Sequence, residues 1–343
     1  MLGNLSKTIS VSVLSGLAIV LITSVTTPNV GHGAKIIAKL GHPLPPPTPL
    51  HKWALMFKSE VEKRSGGRME IKVFPMSQLG TIPRMIEGTQ LGTVEIVTIP
   101  PGFFTGLDKR YGVLAAPGIF KDLPHAHRTI HDPEFKKAFW PIGESKGLKM
   151  IGMSADAETS YASVDPIRKL SDFKGKKLRV FGSKFEIETL RRVGATGVPM
   201  PLSEVIPAIQ QKTIDGNKAA IVVFVPFKYQ TVAKHVLRTN SSVICINRVT
   251  NKRWFEKLPA DLRKIVADVA SETDRKIINI SVAVHKKLYK VWTKTGGTFS
   301  ELSADEQVEL DRRLSTVGEH ILKKQPGVLK MYKMMKSVAA RTK

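Results

Sequence analysis

MEIKVFPMSQLGTIPRMIEGTQLGTVEIVTI, residues 69–99, is the stretch that decides the fold. Met69–Phe74 alternates apolar and polar side chains, which is typical of a half-buried strand. Ile82–Leu91 predicts a helix that Gly92 stops, and Glu95–Ile99 predicts the next strand. Two strands joined by a helix form a crossover unit, so this stretch predicts neighbouring parallel strands covered by a helix.

The flanking sequence extends the same pattern in both directions. Before it, Ile36–Leu40 predicts a strand, and apolar residues from Trp53 to Val61 recur at helical spacing until Gly66-Gly67. After it, the alternation of predicted strands and helices continues in Leu178–Phe181, Lys184–Arg192, Gly197–Met200, Ser203–Gln211 and the apolar, strand-like Ile214–Val225. The sequence therefore predicts an α/β protein with two lobes over mainly parallel sheets, whose ligand cleft lies where strand ends meet.

The C-terminal third is predicted to be helical. Pro259–Val291 is a long, largely helical region that could bridge the lobes, and Ser303 to Glu306 form a capping box that opens a later helix. Residues 321–343 contain seven basic residues and no acid, which predicts a solvated helix or a frayed end.

The N-terminus has the pattern of an export signal. Lys7 precedes the uncharged apolar run Val11–Val25, which is followed by small residues up to Ala34. A buried core helix and a retained anchor are the alternatives, since the cleavage site is not a clean Ala-x-Ala motif. We expect residues 1–33 to be a signal peptide and the mature chain to be periplasmic.

Composition limits the remaining possibilities. The 343 residues contain 53 Lys plus Arg and 29 Asp plus Glu, a net charge of +24, and removing Lys7 leaves 24 − 1 = +23 for the exported chain. The single cysteine, Cys245, rules out an intramolecular disulfide or a multi-cysteine metal site. The positive charge predicts anionic ligands or surfaces, and export argues against nucleic acid as a partner.

Three segments carry a resemblance to a known family: residues 61–80 (VEKRSGGR, then VFP and QLG), residues 170–180 (LSDFKGKKLRV), and residues 194–216 with PMP, EV, AIQ and IDG. A weaker element is Trp254 with Leu258-Pro259. Together they resemble the solute-binding proteins of TRAP transporters, the DctP-like family. The resemblance implies a two-lobe periplasmic binding protein with a hinge, a ligand cleft between the lobes and a long bridging helix. It implies a small organic-acid ligand and TRAP-type membrane permease subunits as partners.

Within this family, lobe 1 is expected at residues 34–157 plus about 247–290, and lobe 2 at residues 158–246 plus about 291–343. The resemblance places Arg179 at the end of a strand facing the cleft, where its guanidinium would bind a carboxylate. Without the resemblance, an arginine after Lys176-Lys177 is typical of a solvated basic surface.

Other expected ligand positions differ from the family pattern. A second arginine would lie near Thr159, but the sequence there offers Glu158 and Tyr161, and Asp215-Gly216 is followed by Asn217, Lys218 and Ala219. Phe224 and Phe227 are interpreted as core packing or as an aromatic wall of the cleft. We therefore expect one carboxylate at Arg179 and a less polar remainder of the ligand, rather than a dicarboxylate or a sialic-acid-like sugar. Gln78, on the opposite wall, and His42, after the first strand, complete the candidate residues.

Rival functions have less support. The chain contains no nucleophile elbow, no His-Glu-x-x-His and no phosphate-binding loop, so the sequence predicts no enzyme and no cofactor. His125, His127 and His131 have a spacing that could suit zinc, although such histidines are more often solvated. A polyanion-binding protein or a ligand-binding sensor of the same fold stays open, and the sequence does not indicate an oligomeric state.

Overall fold

The computed structural model describes residues 35–343. The predicted signal peptide lies outside these residues. Within residues 35–343, no helix has the length and apolar character needed to cross a membrane.

The chain from Lys35 onward contains nine strands and twelve α-helices in its described part. The strands are β1 (Ile36–Gly41), β2 (Met69–Phe74), β3 (Ile96–Ile99), β4 (Leu148–Ser163), β5 (Lys177–Val180), β6 (Thr196–Pro199), β7 (Gly216–Ala219), β8 (His235–Asn251) and β9 (Thr298–Glu301). The helices are α1 (Pro49–Arg64), α2 (Ile82–Leu91), α3 (Leu123–His131), α4 (Pro133–Phe139), α5 (Lys184–Arg192), α6 (Leu202–Gln210), α7 (Ile221–Phe224), α8 (Lys252–Lys257), α9 (Ala260–Lys294), α10 (Ala304–Leu314), α11 (Val317–Leu322) and α12 (Pro326–Arg341).

The strands join in the order β2-β1-β3-β8-β4-β7-β5-β6, with β9 also paired to β8. We call β2, β1 and β3 with residues 247–251 of β8 the first sheet half, and β6, β5 and β7 with residues 160–163 of β4 the second sheet half. β1 to β3 pair in parallel, as do β5 to β7, which confirms the predicted parallel units. The short elements around residues 69–99 follow their predicted bounds within one residue.

The two sheet halves are connected by β4 and β8, which pair antiparallel from Leu148–Asn251 to Ser163–His235, with three register shifts and no β4 partner for residues 239–242 of β8. Both strands are buried on nearly every residue, because they run from one half into the other. β8 meets β3 through residues 247–250, whereas β4 meets β7 through residues 160–163. The lobe boundaries expected from the sequence remain a prediction.

Two parts of the chain differ from the sequence prediction. The apolar stretch Ile214–Val225 forms β7 and then the one-turn helix α7, because a short apolar run fits a buried strand and a buried helix equally well. The basic tail is neither solvated nor frayed: α12 buries Met331, Met335 and Val338 and contacts α3 and α4. Its lysines lie on the remaining face of an amphipathic helix.

The long helix α9 and the cap of α10 agree with the sequence. α9 has 35 residues and contacts both α1 and β4. The Ser303 side chain accepts the Glu306 N–H as predicted, but the Glu306 carboxylate accepts the N–H of Leu170 instead of completing the box. The cap thus also attaches α10 to the segment that leads into β5.

Candidate functional site

Arg179 lies on β5, and the first residue of this strand is hydrogen-bonded to Asp215, which precedes Gly216 of β7. The Asp215 carboxylate accepts the Lys177 N–H at 2.7 Å, and the Asp215 N–H donates to the Lys177 carbonyl at 2.7 Å. A Cβ on Gly216 would lie 2.2 Å from the Ala162 carbonyl oxygen, so only glycine lets β7 enter here between β4 and β5. These contacts fix the register of β5 and thereby the position of Arg179, two residues along the strand.

Arg179 is 1% exposed, and its guanidinium is positioned from two sides. Nε donates to the Met200 carbonyl at 3.0 Å, and Nη1 donates to Asn217 Oδ1 at 3.4 Å. Asn217 is itself held by a 2.9 Å bond from its Nδ2 to the Tyr229 hydroxyl. Nη2 has no hydrogen-bond partner among residues 35–343. Burial lowers the pKa of Arg179 to about 10, so the guanidinium stays charged at neutral pH and keeps one free donor group.

Arg179 lines a small cavity whose walls come from several segments of the chain. The first sheet half and the segments around it contribute the apolar side chains of Leu44, Leu50, Ile82 and Phe103. The second sheet half and the segments around it contribute those of Phe181, Leu202, Val222 and Val223, while Ile244 and Ile246 come from β8. Both halves therefore form the walls, and most of the wall is apolar.

Two aromatic rings lie over the guanidinium. Its central carbon lies 4.8 Å from the Phe181 ring centroid and 5.6 Å from that of Phe103, within the range of cation–π contacts. The two rings are 5.2 Å apart, and they come from segments that follow β3 and β5. A Cβ on Gly102 would lie 3.0 Å from Phe181 Cβ, so glycine allows these segments to meet closely.

The only acidic side chain among the residues that line this cavity is Asp156 on β4. It is 3% exposed and sits in a β-bulge, since the pairing with β8 skips from Ala155 to Ala157. Burial raises the pKa of Asp156 to about 6, and the charge of Arg248 opposes that rise. The cavity thus contains one buried cation and one buried carboxyl group.

A buried ion pair supports the wall. Lys218 Nζ lies 3.1 Å from Glu186 Oε1, and the two side chains are 3% and 2% exposed. Glu186 Oε2 also accepts the Phe181 N–H at 3.2 Å. The pair therefore connects β7 to α5 and to the residue that covers Arg179.

His42 is not among the residues that line the cavity. It is fully buried, and its Nε2 is 3.0 Å from His51 Nδ1. Burial, then His51 and Arg248, lower the pKa of His42 to about 3, so the ring is neutral. The two residues after it, Pro43 and Leu44, line the cavity.

The other predicted residues do not join Arg179 among the lining residues. Tyr161 packs in the core with its ring 5.1 Å from Phe173, and Phe224 packs against Tyr229, while its neighbours Val222 and Val223 line the cavity. Glu158 is partly buried near Arg238, and Gln78 is exposed in the loop after β2. Phe227 is partly buried against the core around Phe224. Ligand contact at these positions stays a prediction.

The histidines and the cysteine considered for other chemistry have structural contacts. His125 uses both ring nitrogens, for the Lys121 N–H at 3.0 Å and the Ala339 carbonyl at 2.8 Å. The rings of His127 and His131 contact each other at a tilt of 45°, with centroids 4.3 Å apart. Cys245 is buried as predicted, and burial raises its pKa to about 12, which makes the thiol unreactive.

Sequence reasoning missed Asp156, Phe103 and Phe181 as cavity residues. Phe181 could have been found, because it follows Arg179 by two positions and so faces the same side of an extended chain. Asp156 carries no comparable pattern, since its direction depends on a bulge that only the pairing of β4 with β8 defines.

Comparison with known proteins agrees with this geometry. The family model for bacterial extracellular solute-binding protein, family 7, DctP, matches residues 40–325. A C4-dicarboxylate-binding periplasmic protein DctP from Rhodobacter capsulatus is 27% identical over 288 residues, which cover 83% of this chain and 86% of that protein. The 2,3-diketo-L-gulonate-binding periplasmic protein YiaO from Escherichia coli K12 is 30% identical over 226 residues, 65% of this chain and 68% of that protein.

A TRAP periplasmic solute-binding protein from Desulfovibrio salexigens, solved with bound orotic acid, is similar in structure. It superimposes with a TM-score of 0.85 at 25% identity and covers 90% of this chain and 100% of its own. The predicted resemblance and the predicted fold class, a mixed α/β binding protein, are confirmed. The family model spans most of the chain, so this protein belongs to the DctP family of bacterial extracellular solute-binding proteins, family 7.

Proposed function

We propose that this protein captures an organic acid by binding its carboxylate to Arg179, as the solute receptor of a TRAP-type transporter. The observation that carries the proposal is the free Nη2 of a guanidinium that is 1% exposed, lines an apolar cavity and is held in place by Met200 and Asn217. A buried donor of this kind requires an acceptor, and a carboxylate oxygen supplies the strongest one.

The ligand class follows from the remaining lining residues. Arg179 is the only basic side chain among them, and a second carboxylate near Asp156 would meet a like charge. Acids with one carboxylate and a compact, largely apolar body are therefore favoured over C4-dicarboxylates. The orotic acid bound by the Desulfovibrio salexigens relative also carries one carboxylate on a compact ring, although that ring is polar.

The transport cycle would use both sheet halves. Residues from each half form the cavity walls, and the crossing strands β4 and β8 with α9 connect them, so a ligand that contacts both halves would favour the closed arrangement. Curated relatives are periplasmic, which supports export by the N-terminal segment. The membrane partner would be a TRAP-type permease.

Isothermal titration calorimetry tests the ligand assignment. The panel contains orotate, benzoate and phenylacetate as single-carboxylate acids, succinate and malate as C4-dicarboxylates, and glucuronate as a sugar acid. We expect orotate, benzoate or phenylacetate to bind most tightly. Tight binding of the dicarboxylates together with no binding of the others would refute the proposed ligand class.

Variants test the site itself. Arg179→Met should weaken binding by about 2–5 kcal/mol, or at least about 30-fold in Kd, the range for removing one partner of a buried charge pair. Arg179→Lys should recover part of this loss, since lysine keeps the positive charge but lacks the two parallel N–H donors of the guanidinium. Arg84→Met is the matched control, because Arg84 is 74% exposed on α2. Wild-type affinity in Arg179→Met, with a normal melting curve, would refute the site.

A further inference from the structure

The further inference concerns Asp156, and it rests on the function proposed above. Neither carboxylate oxygen of Asp156 has a hydrogen-bond or ion-pair partner among residues 35–343, although the side chain is 3% exposed. The β-bulge at this residue directs the side chain out of the β4–β8 ladder, and Asp156 lines the same cavity as Arg179. Bulges that redirect a side chain are common next to functional sites.

The other buried charges near the cavity are already paired. Lys218 contacts Glu186 at 3.1 Å. Arg248, whose charge acts on Asp156, lies 3.3 Å from Asp274 and donates to Thr98 and Ser154. The protein therefore compensates these groups internally.

Arg179 and Asp156 are the exceptions. Both line one cavity, yet neither forms an ion pair within 4 Å in the described chain; the charge of Glu186 acts on Arg179, and that of Arg248 on Asp156, only from farther away. A buried carboxyl group without a partner is costly unless a ligand satisfies it. The cavity is thus lined by one cationic side chain and one anionic side chain, and its other lining residues are apolar.

We infer that Asp156 is a specificity residue and that the ligand carries, besides its carboxylate, a hydrogen-bond donor that reaches Asp156: an ammonium group, a ring N–H or a hydroxyl. Purely hydrocarbon acids satisfy only Arg179. Acids with an ammonium group satisfy both points and neutralise the cavity.

Matched ligands test this inference in the intact exported chain. The probes are 3-(aminomethyl)benzoate, 3-hydroxybenzoate and 3-methylbenzoate, which share the carboxylate and ring and differ in the donor. For the wild type we expect the aminomethyl and hydroxy acids to bind about 10- to 100-fold more tightly than the methyl acid, the range for a hydrogen bond to a charged group. In Asp156→Asn the ratio of the Kd of 3-methylbenzoate to the Kd of 3-(aminomethyl)benzoate should fall to about one.

A second measurement needs no ligand. Asp156→Asn removes an unpaired buried charge, so its melting temperature without ligand should equal or exceed that of the wild type. The control Asp305→Asn changes an exposed acid in the first turn of α10, so it should leave the ligand preference unchanged and lower the melting temperature by at most about 4 °C. A lower melting temperature for Asp156→Asn would mean that the protein itself satisfies the carboxylate, which overturns the inference.

Different results would refute the role of Asp156 and the proposed function. If acids bind in an Arg179-dependent way but with equal affinity with and without the donor, the role of Asp156 is wrong and the proposed function stands. If no single-carboxylate acid binds, or if binding does not depend on Arg179, the proposed site fails and the inference fails with it.

Discussion

The buried pair Lys218–Glu186 offers a quantitative test of how the cavity wall is supported. Lys218→Met keeps the length of the side chain and removes its charge, which leaves the Glu186 carboxylate at 2% exposure without its cation. Breaking a buried pair from one side costs about 3–5 kcal/mol, a large part of the 5–15 kcal/mol that stabilises a typical domain. Glu186→Gln breaks the pair from the other side and should cost a similar amount.

The double variant separates the pair from the packing around it. In Glu186→Gln with Lys218→Met both charges are gone, and the glutamine oxygen can still accept the Phe181 N–H that Glu186 accepts at 3.2 Å. We expect this protein to lose about 2 kcal/mol or less, and so to be more stable than either single variant.

Urea unfolding at pH 7.5 without ligand, followed by circular dichroism, measures all four proteins. The exposed pair Lys264–Asp268 provides the matched control, because its side chains are 76% and 47% exposed and Lys264→Met should cost less than about 1 kcal/mol. A double variant whose loss equals the sum of the single losses would refute the reasoning, since it would show that the two charges do not stabilise each other.

Three further changes test other parts of the structure. Burial lowers the pKa of His285 to about 4, so between about pH 6.5 and pH 4 this histidine binds a proton in the unfolded protein but not in the folded one. Protonation of His285 should therefore lower the free energy of unfolding of the wild type by about 2 kcal/mol between pH 7.5 and pH 5. Urea titrations over this pH range should show a smaller loss of stability for His285→Leu. Asn217→Ala removes the acceptor for Nη1 of Arg179, so calorimetry should show about 10-fold weaker binding of the preferred acid while thermal stability falls by only a few degrees. Gly216→Ala should unfold at a clearly lower temperature, because its Cβ would lie 2.2 Å from the Ala162 carbonyl oxygen; an unchanged melting curve would contradict the packing described for β7.

The parallel units could be predicted because their sequences match local rules. Met69–Phe74 alternates, Ile82–Leu91 repeats at helical spacing, and Gly92 ends the helix with φ of +83°. β4 and β8 could not be predicted in this way. They are buried on both faces where they pass between the sheet halves, so apolar and polar residues do not alternate along them, and Ser154 is as buried as Met153.

The same difference applies to the site. Arg179 lies on a short strand within a recognisable motif and lines the cavity with a free Nη2, while its binding of a carboxylate stays a prediction. Tyr161 and Glu158 lie on β4, where the bulges at residues 150–152, 155–157 and 158–160 shift the register and change which face each side chain occupies. Asp156 reaches the cavity for this reason. A position count along the sequence cannot follow such shifts, because each inserted residue reverses the faces of those after it.

The net charge of +24 gives no direct measure of the site's own charge. The side chains that line the cavity include one arginine and one aspartate, and the adjacent Lys218 and Arg248 are each paired with an acid. The excess of Lys and Arg therefore lies outside the cavity, where salt screens its effect within about 10 Å at 0.1 M ionic strength. Surface charge of this kind acts on the rate at which an anion arrives, whereas selection among anions depends on the buried groups that it contacts. A cavity with both signs can discriminate between acids of equal charge, which a uniformly basic surface cannot do.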